Sequence, residues 1–468
     1  MFDKSNLVRI EDFLWEIPKS FRSDMRVPAR VYAYDAMLDA ISGDKSLEQL
    51  VNVATLPGIK GYALAMPDIH EGYGFPVGGV AAFDSEEGII SPGGIGYDIN
   101  CGVRLLRSEK TFPEIRPYLR DLGRRIYEEV PSGVGVGGRL SLRGKDFDLV
   151  LERGAARMLE LGYGDEDDIE QIESGGVLDT ASAELVSEHA KSRGHDQIGT
   201  MGAGNHFVEV GIVETIFDEA EAGKLNIFKD QVTVLIHTGS RGLGHQIATD
   251  YIRIMMKVMP NYGITLPDRE LACTPFTSKE GQEYFKAMSA GANFAWANRQ
   301  LITWEVRKAW ENLLGKDGGR LSVVYDVAHN IAKVEDYTID GKKYKLVIHR
   351  KGATRSFPNQ PVLIPGSMGT HSYVLVGREE ALISSFGSSC HGAGRRMSRT
   401  RARKEVSVEE LRQRLESLGI VVKAGSSRGL TEESPEAYKD VNEVVGVIDE
   451  AGIAKKVARL KPIAVVKG

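Results

Sequence analysis

Cysteine and histidine are scarce in this chain and a net positive charge is lacking, and the first and last of these remove classes of explanation. Three cysteines in 468 residues, Cys101, Cys273 and Cys390, cannot staple a fold of this size. They read as free thiols of a reducing compartment rather than a disulfide framework. No apolar run approaches the roughly 20 residues that a membrane span needs. The opening "MFDKSNLVRIEDFLWEIPKS" is broken by charge throughout and lacks a signal-peptide core. The expected location is therefore the cytosol. A net charge of −6 excludes a protein coated in positive potential, though it leaves room for a local basic stripe. Neither a solenoid-length repeat nor a disordered tail is visible.

What is present is glycine, 52 residues of it, gathered in clusters such as "GYGFPVGG", "SPGGIGYDINCG", "PSGVGVGG", "GTMGAGNH", "TGSRGLGH" and "CHGAGR". Tight glycine-built loops suit a site assembled from several segments. They fit a merely turn-rich protein equally well. With 42% hydrophobic and 26% charged residues, the chain can bury a large core.

Short β-branched runs predict strands at 232–237, 321–329, 344–349, 361–366 and 462–468. Helical periodicity predicts helices over 280–314, after "TGSRGLGH", around 146–162, at 179–191, and from "SVEE", where Ser407 and Glu410 have capping-box spacing. The alternation is too irregular for a doubly wound sheet. We expect an α+β fold, one large mixed domain over 1–468 with β-sheets, peripheral helices and many glycine-rich active-site loops. The acidic "GDEDDIEQIESGG" at 164–176 reads as a surface loop.

The ten histidines are few enough for their positions to carry information. His237 and His329 end predicted strands, His206 sits in "GAGNHFVEV", and Asp98 and Cys101 share "GGIGYDINCG". Three imidazoles, a thiol and a carboxylate exceed what one tetrahedral zinc requires and would suit two neighbouring metals. Donor softness by itself favours zinc or iron over manganese. Taken singly, each histidine is more often a core or turn residue than a ligand.

His391, in "SSCHGAGRRMSR", could be a ligand, a base, a nucleophile or a packed ring. Arg395, Arg399 and Arg403 follow it at i, i+4, i+8 spacing, so a helix starting there would aim an arginine row at phosphate. A solvated charged face is the plainer alternative. Arg241 and Lys351 are further phosphate candidates, and Asp68 in "PDIHEGYG" reads as a carboxylate that orients a ligand or an incoming hydroxyl.

Read together, "LPGIKGYALAMPDIHEGYGFPVGGVAA", "SPGGIGYDINCGVRLL", "GTMGAGNHFVEV", "IHTGSRGLGHQI", "DVAHN", "RKGATRSFP", "PGSMGTHSYVL", "SCHGAGRRMSR" and "AVVKG" resemble the RtcB family of RNA ligases, in family order from about residue 55 onward. The resemblance implies a GTP- and manganese-dependent enzyme that joins RNA 3′-phosphate or 2′,3′-cyclic phosphate ends to 5′-hydroxyl ends through a histidine–GMP intermediate, in tRNA splicing or RNA repair. It makes Asp98, Cys101, His206, His237 and His329 the ligands of two Mn2+ ions and His391 the nucleophile. Guanylate contacts fall on Asn205, Glu209, Ser367, Ser372, Ala393 and Gly394, with Tyr438 and Lys467 at the base. RNA, as tRNA halves or broken ends, is the implied partner, and the family admits a helper protein, archease. Two departures stand out: His371 where a small residue is expected, and a looser "SGVGVGG" at 132–138. A two-metal phosphoesterase using the same ligands needs no nucleophilic histidine, and a silent RNA-binding protein needs neither.

Overall fold

The computed structural model describes residues 4–133, 135–339 and 341–468; Val134, inside the looser 132–138 stretch, lies outside them. Among the described residues, two large sheets carry the fold. A seven-stranded sheet runs in the order Val8–Glu11, Leu14–Ile17, Ala29–Tyr32, Ile59–His70, Val77–Asp84, Lys342–Lys351 and Asn330–Ile339. The eight-stranded sheet runs Ser322–Ala328, Gly102–Thr111, Gln231–Thr238, Phe207–Ile216, Ala454–Lys467, Ser372–Gly377 and Pro361–Ile364, with Val421–Ala424 pairing to Ala454–Lys467 in parallel. Each β-branched run of the sequence overlaps one of these strands, with 321–329, 361–366 and 462–468 overrunning the observed ends by one or two residues.

Register in the second sheet does most to build the site. Gly102 pairs with Thr238 and also with Ala328, while Phe207 pairs with His237. The residues flanking these pairs are Cys101, His237, His329 and His206. Four positions far apart in sequence therefore meet at one end of four neighbouring strands, because antiparallel pairing alternates which terminus of each strand lies there.

The helix predicted over 280–314 spans Lys279–Leu314, with Ser278 accepting a hydrogen bond from Gly281 N at its start. It is not peripheral. Trp296, Trp310, Phe294 and Arg299 on it are all buried, and a helix enclosed on every side belongs to the core. Between those large side chains the small Ala287, Ser289, Ala290, Gly291, Ala292, Ala295 and Ala297 are buried too.

Three shorter readings also need correcting. Segment 164–176 is not simply a surface loop, since it forms a helix over Glu166–Glu170 with an Asp165–Asp168 capping box. Asp168 and Glu173 are buried there because cations meet them: Arg307 grips Asp168 with two bonds of 2.7 Å, and Lys333 donates to Glu173 at 2.5 Å. The helix expected at 179–191 divides into a turn at Ala183–Leu185 and a helix at Glu188–Ser192, because extended Ser187 caps a new start through Ala190 N. The arginine helix begins only at Arg399, capped by Ser398, so Arg395 precedes it and no single arginine row forms. No helix among the described residues is long and apolar enough to cross a membrane.

Candidate metal centre and active site

At the convergent strand ends the donor atoms crowd together. Cys101 Sγ lies 3.4 Å from His206 Nε2 and 3.3 Å from His237 Nε2, and His237 Nε2 lies 3.3 Å from His329 Nε2. Asp98 Oδ2 is 2.9 Å from His206 Nε2. Two triads result, Cys101–His237–His329 and Asp98–Cys101–His206, each with its donor atoms within 4.8 Å of one another. Cys101 belongs to both. A shared thiol between two imidazole-bearing sets fits a pair of cations better than a single one.

The electrostatics of this cluster also fit cations. Burial holds His237 and His329 well below the usual imidazole range, with neighbouring rings adding to the effect, so both keep a lone pair for a metal. Burial, then the Asp98 charge, pushes the Cys101 thiol well up; a bound cation would reverse that and drive the proton off. Burial alone would raise the Asp98 carboxyl, but its bond to His206 and the charges of His206 and Arg241 hold it below the usual range. The backbone N–H of Ser240 donates to its other oxygen at 2.9 Å.

Facing this cluster is His391, at the end of the Ser388–Cys390 strand, which pairs with Ala353–Arg355. The ring centroids of His391 and His329 are 4.9 Å apart. Asp68, fully buried at the end of the first sheet, lies 2.6 Å from His391 Nδ1 and also accepts from the backbone N–H groups of His391 and Gly392. Gly394 adopts φ +75, and a Cβ there would sit 2.1 Å from the Asp68 carbonyl oxygen. Gly352 likewise has φ +60, and a Cβ would stand 3.0 Å from the His391 ring. At Gly394 the Asp68 backbone itself excludes a side chain, whereas at Gly352 the nearer obstacle is Val77 Cγ1, 2.3 Å from that Cβ.

A cavity of about 300 Å³ opens in front of this pair. Of the residues singled out in the sequence, Asp98, Cys101, His237, His329, Asn205, Ser367, Ala393, Gly394, Tyr438, Lys467, Lys351, Arg395, Arg399 and His391 line it. Glu209 and Ser372 do not. They are buried together, with the Ser372 hydroxyl 3.5 Å from the Glu209 carboxyl, which burial pushes up to about 8 against the pull of Ser372 and Lys467. Burial lowers Lys467 to about 8, and its ammonium donates to Gly204 O at 3.0 Å.

The basic residues are already engaged. Arg241 is not among the residues that line the cavity and donates to Thr200 Oγ1 and Gly133 O. Lys351 donates to the carbonyls of Tyr73 and Phe75, and burial lowers it to about 7. Arg395 and Arg399 both contact Glu433, at 3.3 and 3.2 Å, and the Tyr438 hydroxyl donates to the same carboxylate. His371 points at Glu214, 3.1 Å away, outside the cavity.

Several participants were not read from the sequence. Glu433 gives no signal beyond one acid in "TEESPEAY". Asn330 is visible only as the residue after His329, yet it bridges the site: its amide donates to Asp98 O and its oxygen accepts from Gly352 N. Arg299, buried on the long helix, holds the carbonyls of Asn100 and Thr238 at 2.8 and 2.9 Å and grips Asp326. Those two carbonyls adjoin Cys101 and His237.

Comparison with known proteins yields one family. Residues 49–468 match the family model described as tRNA-splicing ligase RtcB. Proteins described in the same words include one from Thermococcus kodakarensis, 52% identical over 99% of both chains. Others come from Archaeoglobus fulgidus, at 50%, and Nanoarchaeum equitans, at 51%, each again covering 99% of both chains.

Proposed function

The chain belongs to the RtcB family and is an RNA ligase of tRNA splicing; from that premise we propose that it joins RNA 3′-phosphate or 2′,3′-cyclic phosphate ends to 5′-hydroxyl ends, using GTP, manganese and a guanylylated His391. The observation that carries this reading is the contact of His391 with buried Asp68 on one side and with the thiol–imidazole cluster on the other.

Asp68 accepts the Nδ1 proton and so favours the tautomer whose Nε2 lone pair is free. That nitrogen attacks the α-phosphorus of GTP; an N–P bond forms and the bond to pyrophosphate breaks. A 2′,3′-cyclic end is first opened by water, whose oxygen bonds to phosphorus as the P–O2′ bond breaks and O2′ takes up a proton. An oxygen of the 3′-phosphate then attacks the guanylyl phosphorus, the N–P bond breaks, and GMP passes to the RNA end. Finally the 5′-hydroxyl attacks the activated 3′-phosphate, losing its proton as GMP leaves. Splitting one hard exchange into three displacements is the use of a covalent catalyst.

Asp98, Cys101, His206, His237 and His329 would hold the metal ions, which when bound offset negative charge building at phosphorus. Their softness alone would favour zinc or iron; manganese rests on family membership. Asn205, Ser367, Ala393, Gly394, Tyr438 and Lys467 are proposed to seat the guanylate, with Glu209 and Ser372 supporting Lys467 from below. Arg395, Arg399 and Lys351 are proposed to meet phosphate.

The test uses the full chain with manganese and GTP labelled at the α-phosphate. Acid-labile label should remain on the protein and vanish in His391→Ala. Protein that stays unlabelled yet opens a 2′,3′-cyclic phosphate would replace the ligase mechanism with hydrolysis.

A further inference from the structure

Outside the ring of metal donors, three partly exposed aromatic side chains form a chain of ring contacts, tilted at one step and stacked at the next. Tyr73 and Tyr97 both line the catalytic cavity, with ring centroids 5.3 Å apart at 60°. Tyr97 in turn stacks on His245, with centroids 4.7 Å apart and planes only 23° from parallel. His245 is exposed and lines a second, open groove along the Arg241–Val258 helix. The ring contacts thus begin in the cavity wall, at Tyr73 and Tyr97, and end on an exposed imidazole that lines a separate groove.

None of the proposed chemistry uses these rings, and core packing does not account for them, because all three keep solvent exposure. We propose that Tyr73, Tyr97 and His245 are a stacking track that receives unpaired bases of the RNA end as the strand leaves the cavity. The proposal rests on the RNA-ligase reading and adds to it a base-contacting subsite. Aromatic faces accept any base, which suits an enzyme that must hold a strand near its end without reading sequence.

The charge of the groove favours this occupant over one held by its phosphates. Arg253 lines it, but so do Glu184 and Asp250, so the wall offers no net basic stripe for a backbone. Ring stacking is the attraction that remains. The direct contact of His245 with Tyr97, which lines the catalytic cavity, argues for the enzyme's own RNA rather than a protein partner.

The experiment measures binding by fluorescence anisotropy, using the full chain and two single-stranded RNA probes, one ending in 3′-phosphate and one in 5′-hydroxyl. His245→Ala should weaken at least one probe by about tenfold, and His245→Phe should restore it. An abasic nucleotide at the contacted position should weaken the wild type by a similar factor and add nothing in His245→Ala. Melting curves establish that the variants fold. Binding of both probes within twofold of wild type in His245→Ala, or failure of the phenylalanine variant to restore it, overturns the track. Label uptake from GTP by the wild type is scored separately. Absent label with a tenfold His245 effect removes the guanylylation reading and leaves the track standing; label with no His245 effect does the reverse.

Discussion

Two walls of the same cavity are built on opposite principles. One carries Cys101, His237 and His329; the other carries Arg395, Arg399 and Glu433. On the first, each donor side chain is buried and sits at the end of a hydrogen-bonded strand. Imidazole packs against imidazole, His237 against His206 and His329 with centroids 5.6 and 5.1 Å apart. The donor atoms face one another directly, at 3.3 to 3.4 Å, so the wall is shaped before anything binds, in the manner of a preorganised site. On the second wall, long arginines reach from a loop and from the first residue of a helix, and both are already paired with one buried carboxylate. Those groups must exchange partners to meet an anion. The first wall is fixed in advance, whereas the second is parked.

The largest expected effect tests the fixed wall. Because Cys101 belongs to both donor triads, Cys101→Ala should strip metal from both positions at once. Partners of ligands typically contribute 10–100-fold in metal affinity or activity, so loss of a shared ligand should cost ligation more than about 100-fold. Elemental analysis of the purified variant should show metal content falling with activity, while Arg399→Ala keeps its metal. A Cys101→Ala protein that retains a full complement would mean that the triads do not share a donor.

A smaller effect tests the piece between the walls. Asp68→Asn keeps an oxygen in place for the three N–H groups around it but removes the charge beside His391. Label uptake from GTP should slow by about 10–100-fold, mainly in kcat, with KM for GTP little changed and metal content unaltered. If KM rises instead, Asp68 shapes the nucleotide site rather than the nucleophile.

The same contrast explains what was legible in the sequence. The fixed wall announces itself through residue type: a thiol and scarce imidazoles beside short β-branched runs are rare enough to notice, and "VTVLIH" ends on His237, one residue before its strand ends at Thr238. Periodicity places the long helix to within a residue of its observed start, since the 3.6-residue repeat is local. Its burial is not legible, because that depends on which elements close around it. Nor can register be read from one strand, so the meeting of Cys101, His206, His237 and His329 was an expectation from chemistry and family resemblance rather than from pairing. The parked wall hides for a different reason. Glu433 meets Arg395 and Arg399 across 38 and 34 residues of sequence, and an acid near a proline looks like any turn. The arginine spacing itself misleads: it implies one helical row, but Ser398 caps the chain and starts the helix at Arg399.

The smallest effect probes the parked wall directly. Glu433→Gln preserves size and hydrogen-bonding reach while deleting the charge that holds Arg395 and Arg399. If the carboxylate only stores the arginines, the cavity gains one effective positive charge. RNA ends should then bind several-fold tighter at low salt, and the plot of log affinity against log salt should steepen by about 0.7, the increment for one more phosphate contact on a single strand. The opposite outcome is equally definite: weaker binding with a shallower slope would mean that Glu433 aims the arginines at phosphate. In that case the second wall too is set before its ligand arrives, and the contrast between the two walls reduces to the chemistry of their donors.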